Sequence, residues 1–193
     1  MRRKTVKKTQ KGFLFHLGNL FIVLSLLSFF LFFYPVIKAY LFPPQIKQQK
    51  ELKGNFLTVP KISAQAPVLY NVDPWKENIY KPVLKKGVAH AKGSAMPGQR
   101  GSVFIFAHSS GNPLEITNYN TVFLRLGELK KGDDVLIRYN NKTFKYKVTG
   151  QKIVWPNEVG FLTKQTKNQL ILQTCWPIGT SLKRLLVFAA PTN

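Results

Sequence analysis

The cysteine at position 175 is the one thiol in this chain, and it lies where covalent chemistry is feasible. Cys175 ends the apolar run "QLILQTC", and Arg184 opens the next apolar run, "RLLVFAA". A thiol attacks a carbonyl group as the thiolate, so a nucleophilic cysteine needs a neighbour that takes its proton, and histidine is the usual one. A fixed cation would stabilise the negative charge that gathers on the attacked oxygen. These residue types point to acyl transfer.

Two histidines follow the apolar N-terminal segment, and they differ in setting. His108 ends the dense apolar run "SVFIFAH" just before the loop sequence "SSGNP", where a side chain can meet a substrate. We therefore expect His108 to pair with Cys175, and we expect His90 to serve in packing. Trp176, beside the cysteine, is a candidate for substrate binding, and the alternative is that it fills space at the rim of the fold.

Structural explanations exist for the same residues. Outside the cell, structural cysteines usually come in pairs, and an unpaired one indicates a reactive thiol or an intermolecular bridge. Alternatively, Cys175 is a small buried hydrophobic residue without chemistry. Arg184, taken alone, reads as an ordinary surface cation.

The elements that must position these residues are predicted to be strands. Phe144, Tyr146 and Val148 alternate with lysines in "TFKYKVT", which indicates a half-buried strand. "DDVLIRY" precedes it through the hairpin sequence "NNK", and "QKIVW" continues the meander. "SVFIFAH" and "QLILQTC" are typical of strands buried on both faces. "FLTVP", "APVLY" and "RLLVFAA" complete about eight strands, which we expect to form a closed barrel because closure removes exposed edges.

Helical signals in the barrel region are few and short. Residues 120–133, "NTVFLRLGELKKGD", place apolar side chains at helical spacing and are predicted to form a helix interrupted at Gly127. Segments near 76–86 and 157–163 are expected to add single turns. The predicted fold class is therefore mainly β with a few short helices. In that barrel the turn "WPIGTSLK" would bring Cys175 and Arg184 to the same end.

The N-terminal region predicts a membrane anchor. Residues 12–34 contain no Asp, Glu, Lys or Arg, and as a helix they would reach about 34 Å, enough for a bilayer core of about 30 Å. Six basic residues precede them, which favours a cytoplasmic N-terminus. We expect a cytoplasmic tail (1–12), a transmembrane signal anchor with its exit (13–42), a linker (43–55) and an extracytoplasmic β-barrel domain (56–193), in a single-pass protein of the plasma membrane.

The charge balance indicates an anionic partner. Lys and Arg outnumber Asp and Glu by 29 to 8. On the outer side of a membrane this excess meets membrane lipid headgroups or anionic envelope polymers rather than nucleic acid. No metal-ligand spacing of Cys and His and no Asp/Glu cluster is present, so we expect no metal site and no required cofactor.

From Val59 to Ala190 the sequence resembles the sortases. "VPKISAQAPV" is similar to the first strand and turn of that family, and "LKKGVAHAKGSAMPGQRGSVFIFAHSS" to the stretch that leads to its histidine. "LGELKKGDDVLIRYNNKTFKYKV" is similar to the strands beyond. "LILQTC" resembles the cysteine motif TLxTC, with Ile171 in place of its first Thr, and "LKRLLVFA" resembles the arginine strand. "VDPW" at 72–75 is similar to the lid motif of pilus-building sortases but follows the first strand, so we expect no lid there.

The resemblance implies a fold and a reaction. The fold would be an eight-stranded sortase-type closed barrel behind a membrane anchor. The reaction would be cleavage of a C-terminal LPxTG-like sorting signal between Thr and Gly, followed by transfer of the protein through a thioacyl intermediate to an amine acceptor, a cell-wall precursor or a protein lysine. On the matching positions Cys175 would be the nucleophile, His108 the acid and base, and Arg184 the group that holds the substrate backbone and the oxyanion, with Thr174 as a further donor.

Two other functions are compatible with the same residues. One is a membrane-tethered barrel that binds polyanions and keeps Cys175 as inert core. The other is a cysteine hydrolase, which would use the same three residues and release its acyl group to water.

Overall fold

The computed structural model describes residues 4–48, 52–109, 119–163 and 167–192. The first element is a long helix, α1 (Lys4–Leu41). Its segment Gly12–Tyr34 is long and apolar enough to cross a bilayer. Most of the large apolar side chains of this segment are exposed, which is consistent with the predicted membrane anchor.

The rest of the described chain forms a closed eight-stranded barrel, as predicted. The strands run in the order β1-β2-β3-β4-β7-β8-β6-β5 around it. Two short helices, α2 (Glu77–Leu84) and α3 (Gly160–Thr163), lie in the connections. The strands are β1 (Phe56–Val59), β2 (Ala64–Val72), β3 (Val88–Ala91), β4 (Ser102–Phe106), β5 (Asp134–Tyr139), β6 (Lys142–Val154), β7 (Gln169–Trp176) and β8 (Lys183–Thr192).

The predicted strand number is right, but two assignments behind it are wrong. "TFKYKVT" and "QKIVW" belong to one long strand, β6, which stays paired with β8 across a register shift between Val148 and Gly150. The short strand β3 was missed, because its four residues are all buried and show no alternation. The two errors compensate each other.

The predicted helix at 120–133 is also wrong. Among turns, this segment contains one 3₁₀ helix, Leu126–Glu128. The backbone N–H groups of Leu124, Leu126 and Leu129 each donate to the carbonyl three residues earlier, which is the 3₁₀ and turn pattern. The apolar spacing does reflect burial, since Phe123, Leu126 and Leu129 are fully buried in the barrel interior.

Strands β4, β7 and β8 are buried on both faces, which explains their dense apolar sequences. One set of alternating side chains fills the barrel interior, including Ile105, Leu172 and Val187. The other set lies on the outer face under α2 and α3. This outer cluster contains Phe104, Phe106, Ile171, Leu186 and Val154, with Leu84 and Tyr80 from α2 and Phe161 from α3. Full burial of each large side chain contributes about 1.5–3 kcal/mol, so these strands form a rigid base.

Candidate active site

The strand register places the three predicted residues in one row. Parallel strands β4 and β7 pair Phe106 with Gln173, and the ladder continues as the Ala107 N–H donates to the Gln173 carbonyl at 3.1 Å. His108 is the second residue after the end of β4, so an extension of this register sets it beside Cys175, and both residues line one groove. Across the next ladder, antiparallel strands β7 and β8 pair Cys175 with Arg184.

Side-chain alternation puts that row on the outer face of the sheet. Phe106 and Leu186, each two residues from His108 and Arg184 along its strand, belong to the outer cluster. Because strand side chains repeat every two residues, the His108, Cys175 and Arg184 side chains point to the same face. All three line one groove with a volume of about 920 Å³. The groove lies on the outer wall of the barrel, at the end where the predicted turn brings Cys175 and Arg184 together.

All three side chains are partly accessible. Cys175, His108 and Arg184 are half-buried, in contrast to the fully buried Leu172 on the same strand as Cys175. A cysteine without chemistry was expected to lie in the core. The position of Cys175 on the groove wall is instead what a reactive thiol requires, since a substrate carbonyl must reach the sulfur.

Arg184 is oriented by the turn that precedes β8. Its Nη1 donates to the Ser181 carbonyl at 2.9 Å and to the Lys183 carbonyl at 3.0 Å. These two bonds hold Nη1 of the planar guanidinium, and Arg184 lines the groove together with Cys175. A guanidinium held in this way can present a fork of N–H groups to a carbonyl oxygen.

Thr174 and Trp176 have their side chains on the other face. Trp176 packs against the interior cluster, and its ring lies beside Gly127, whose Cβ, if present, would be 3.2 Å from the ring. Thr174 borders the groove but is buried, and its hydroxyl donates to the Ala107 carbonyl at 3.1 Å. We therefore assign substrate contact to neither side chain. The Thr174 bond instead ties β7 to the residue that precedes His108.

The groove has aromatic walls that the sequence reasoning did not assign to it. Trp75 and Tyr80 come from the connection between β2 and β3, and Trp155 and Phe161 from the connection between β6 and β7. The "VDPW" motif was a signal for Trp75, although it was given no role. Burial is the main cause of the raised pKa of the Tyr80 hydroxyl, and the charge of Glu77 adds to that shift. Tyr80 and Arg184 line the same groove.

His90 lies elsewhere, as expected for a packing residue. It is 1% exposed, and its Nε2 is 3.0 Å from the Ala95 carbonyl and 2.9 Å from the Ser94 hydroxyl. Its ring lies 4.9 Å from the Tyr70 ring. Burial lowers the pKa of this imidazole, so the neutral form is favoured.

No metal centre is evident within the described ranges: no group of three or more His, Cys, Asp or Glu side chains there is arranged to hold a metal ion.

Comparison with known proteins identifies the family. The model of the Sortase domain matches residues 57–192, which is most of the chain. The chain belongs to the sortase family. It is 32% identical over 139 residues to Sortase D of Bacillus subtilis (strain 168). This alignment covers 70% of this chain and 62% of the relative. The alignment thus spans less than two thirds of that sortase.

Solved sortase structures share the fold. Sortase A from Corynebacterium diphtheriae superposes with a TM-score of 0.59 at 28% identity, covering 72% of this chain and 60% of that one. Sortase C from Clostridium perfringens, solved with the C-terminal cell wall sorting motif, gives a TM-score of 0.58 at 27% identity, with coverage of 72% and 69%. The closed barrel and the family therefore agree with the fold expected from the sequence.

Proposed function

We propose that this chain is a cysteine transpeptidase that cleaves a C-terminal, LPxTG-like sorting signal and transfers the protein to an amine. The observation that carries the proposal is the row of His108, Cys175 and Arg184 across three adjacent strands, on the wall of one groove. The similar Clostridium perfringens sortase C was solved with a cell wall sorting motif, which supports a sorting signal as the substrate here.

In the first half of the proposed reaction, the Cys175 thiolate attacks the carbonyl carbon of the Thr-Gly bond. A carbon–sulfur bond forms and the carbonyl electrons move to oxygen, where the Arg184 guanidinium donates hydrogen bonds. When the oxyanion collapses, the carbon–nitrogen bond breaks and protonated His108 gives its proton to the leaving amine. The product is a thioacyl intermediate on Cys175.

In the second half, an amine attacks the thioester. Neutral His108 takes a proton from this amine, the new carbon–nitrogen bond forms, and the Cys175 thiolate leaves. The chain is thereby returned to its initial protonation state. We propose a cell-wall precursor or a protein lysine as the acceptor, for anchoring at the cell surface or for pilus assembly.

We also propose the location. Helix α1 would cross the plasma membrane once, with its basic N-terminal tail in the cytoplasm and the barrel outside. The basic excess of the barrel would then face membrane lipid and anionic wall polymers. Residues 56–193 would form the extracytoplasmic domain, and 43–55 the linker.

One experiment separates transfer from hydrolysis. The full chain in detergent is incubated with a fluorescent LPxTG peptide, with and without an amine acceptor such as triglycine, and the products are separated by chromatography. A transpeptidase gives ligated peptide at the expense of the free acid as the amine concentration rises. Free acid alone at every amine concentration would show a hydrolase, and an intact peptide would contradict both.

A further inference from the structure

The rim of the groove exposes large apolar side chains. Trp75, Trp155 and Ile178 line the groove and are 59%, 57% and 38% exposed. Leu182, which is 65% exposed, lies two residues before Arg184 in the turn that borders the groove. We call these four residues the groove rim. Two of the four are tryptophans, the residue type that is enriched where proteins meet the headgroup layer of a bilayer. Single exposed apolar residues are common on protein surfaces, but several of them beside one groove indicate an interaction site.

Helix α1 reaches the same groove. Phe32, Phe33 and Val36 of the helix line it together with Cys175. The apolar segment of α1 ends at Tyr34, so Phe32 and Phe33 mark the level at which the hydrocarbon core of a membrane would end. The groove therefore lies at the height of the membrane surface.

The path of the chain after α1 supports this placement. The Arg125 guanidinium carbon lies 5.4 Å from the centre of the Tyr40 ring, and Arg125 is itself held by Glu128 at 2.7 Å, so the helix exit contacts the 3₁₀ segment. Further on, the Lys47 backbone exchanges two hydrogen bonds with the Gln65 side chain, at 3.1 and 3.0 Å.

Strand β1 begins at the far end of the barrel. Phe56 pairs with Arg138, next to the β5–β6 hairpin, whereas β6 ends with Val154 opposite Arg184. Of the described linker residues, those up to 48 follow the end of α1, and those from 52 lead into β1 at the hairpin end. The groove end, rather than the hairpin end, is the one held beside the anchor.

Lysines accompany the rim aromatics. The Lys183 Nζ lies 4.7 Å from the centre of the Trp155 ring, and the Lys152 Nζ lies 5.2 Å from the centre of the Phe161 ring. Ammonium groups beside interfacial aromatic rings are suited to anionic headgroups, toward which their flexible stems can extend.

We propose that the groove rim inserts into the headgroup layer of the membrane that α1 crosses, with anionic lipid as the partner of its lysines. The groove then opens at the bilayer surface, and a substrate reaches Cys175 along that surface. This inference rests on the proposed membrane anchor but does not depend on the reaction.

The test uses the full chain in vesicles of phosphatidylcholine and phosphatidylglycerol whose acyl chains are brominated, because bromine quenches nearby tryptophan emission. Two single-tryptophan variants keep Trp75 or Trp155, with the other tryptophans changed to Phe. The matched control has all three native tryptophans changed to Phe and carries Lys142→Trp at the hairpin end.

We expect a large loss of emission for Trp75 and Trp155 and little loss for the control. Quenching of the control as strong as that of the rim tryptophans, or none at the rim, would overturn the docking. Equal rim quenching in vesicles of brominated phosphatidylcholine alone would contradict the part assigned to anionic lipid. Flotation of the chain with the vesicles tests the anchor separately: a chain that floats without rim quenching is anchored but not docked, and one that does not float refutes both.

Hydrogen exchange of the unmodified chain gives a second readout that needs no substitution. Backbone amides at 155–161 and 178–182 should exchange more slowly in these vesicles than in detergent, whereas those at 139–143 should not change. Equal exchange of all three segments in the two environments would also overturn the docking.

Discussion

The two histidines of the barrel lie on neighbouring parts of one sheet but differ in burial and in their neighbours. His90 lies within β3, is enclosed on all sides and contacts Ser94 and Ala95 a few residues further along its own chain. His108 lies just beyond the last β4–β7 ladder bond, half-buried in a groove with a thiol and a guanidinium. A strand interior therefore holds a histidine as part of the core, whereas a position just beyond a strand end leaves it accessible in a groove.

We expect the largest difference between these two histidines in the cleavage rates of their substituted variants. His108→Gln removes the group proposed to protonate the leaving amine, and we expect peptide cleavage to fall by about 10²–10⁴-fold. His90→Gln is the matched control, and its rate per folded molecule should stay near that of the unmodified chain. Rates are measured by chromatography of the fluorescent peptide. Equal losses in both variants would mean that the groove position of His108 has no catalytic meaning.

The same comparison of a groove residue with a residue outside the groove can be made for arginine. Arg184→Lys keeps the charge but loses the planar fork, so we expect cleavage to fall by about 10²-fold, with a measurable trace remaining. Arg100→Lys, at an exposed position outside the groove, should cost nothing. The same cleavage assay checks both. A fully active Arg184→Lys enzyme would show that the charge of this side chain suffices.

The two substitutions should rank in the opposite order by their effect on the free energy of unfolding. His90→Gln disturbs buried hydrogen bonds and the packing against Tyr70, so we expect a loss of about 1–3 kcal/mol in the free energy of unfolding. His108→Gln, on a half-exposed site, should cost less. Denaturant unfolding of each full-length variant in detergent, followed by tryptophan emission, measures both. A greater loss for His108→Gln would contradict the assignment of His90 to the core.

The pH dependence of unfolding sharpens the same contrast. Burial lowers the pKa of His90 in the folded chain, so the unfolded chain binds the proton more readily. Above the ordinary pKa of about 6.5, His90 is neutral in both the folded and the unfolded chain and does not change the free energy of unfolding. Below that pH, the free energy of unfolding falls by up to about 1.4 kcal/mol per pH unit until the folded-state pKa is reached. His90→Gln should flatten the profile of unfolding free energy below about pH 6.5. An unchanged slope would assign that dependence to other groups.

Much of this molecule could be predicted from sequence, for identifiable reasons. Dense apolar runs such as "QLILQTC" report burial on both faces, and a residue at the end of such a run lies at a strand end, which located Cys175, His108 and Arg184 together. The two-residue period of a strand also places the Thr174 and Trp176 side chains on the face away from Cys175.

Other features depend on contacts between distant segments. The four residues of β3 carry no alternation, and their pairing with β2 and β4 is decided by the closure of the barrel. The spacing of Phe123, Leu126 and Leu129 fits a helix, yet interior packing holds that segment in turns. The aromatic groove walls come from two connections whose positions over the sheet are set by tertiary packing.

The central claim is that Cys175 carries the acyl group, and intact-protein mass spectrometry after rapid mixing with the sorting-signal peptide tests it most directly. We expect an added mass equal to the peptide fragment that ends in Thr, mapped to Cys175, removed by the amine acceptor, and missing in Cys175→Ala together with all cleavage. Cleavage by Cys175→Ala at the rate of the unmodified chain, or the same adduct on another residue, would contradict the mechanism.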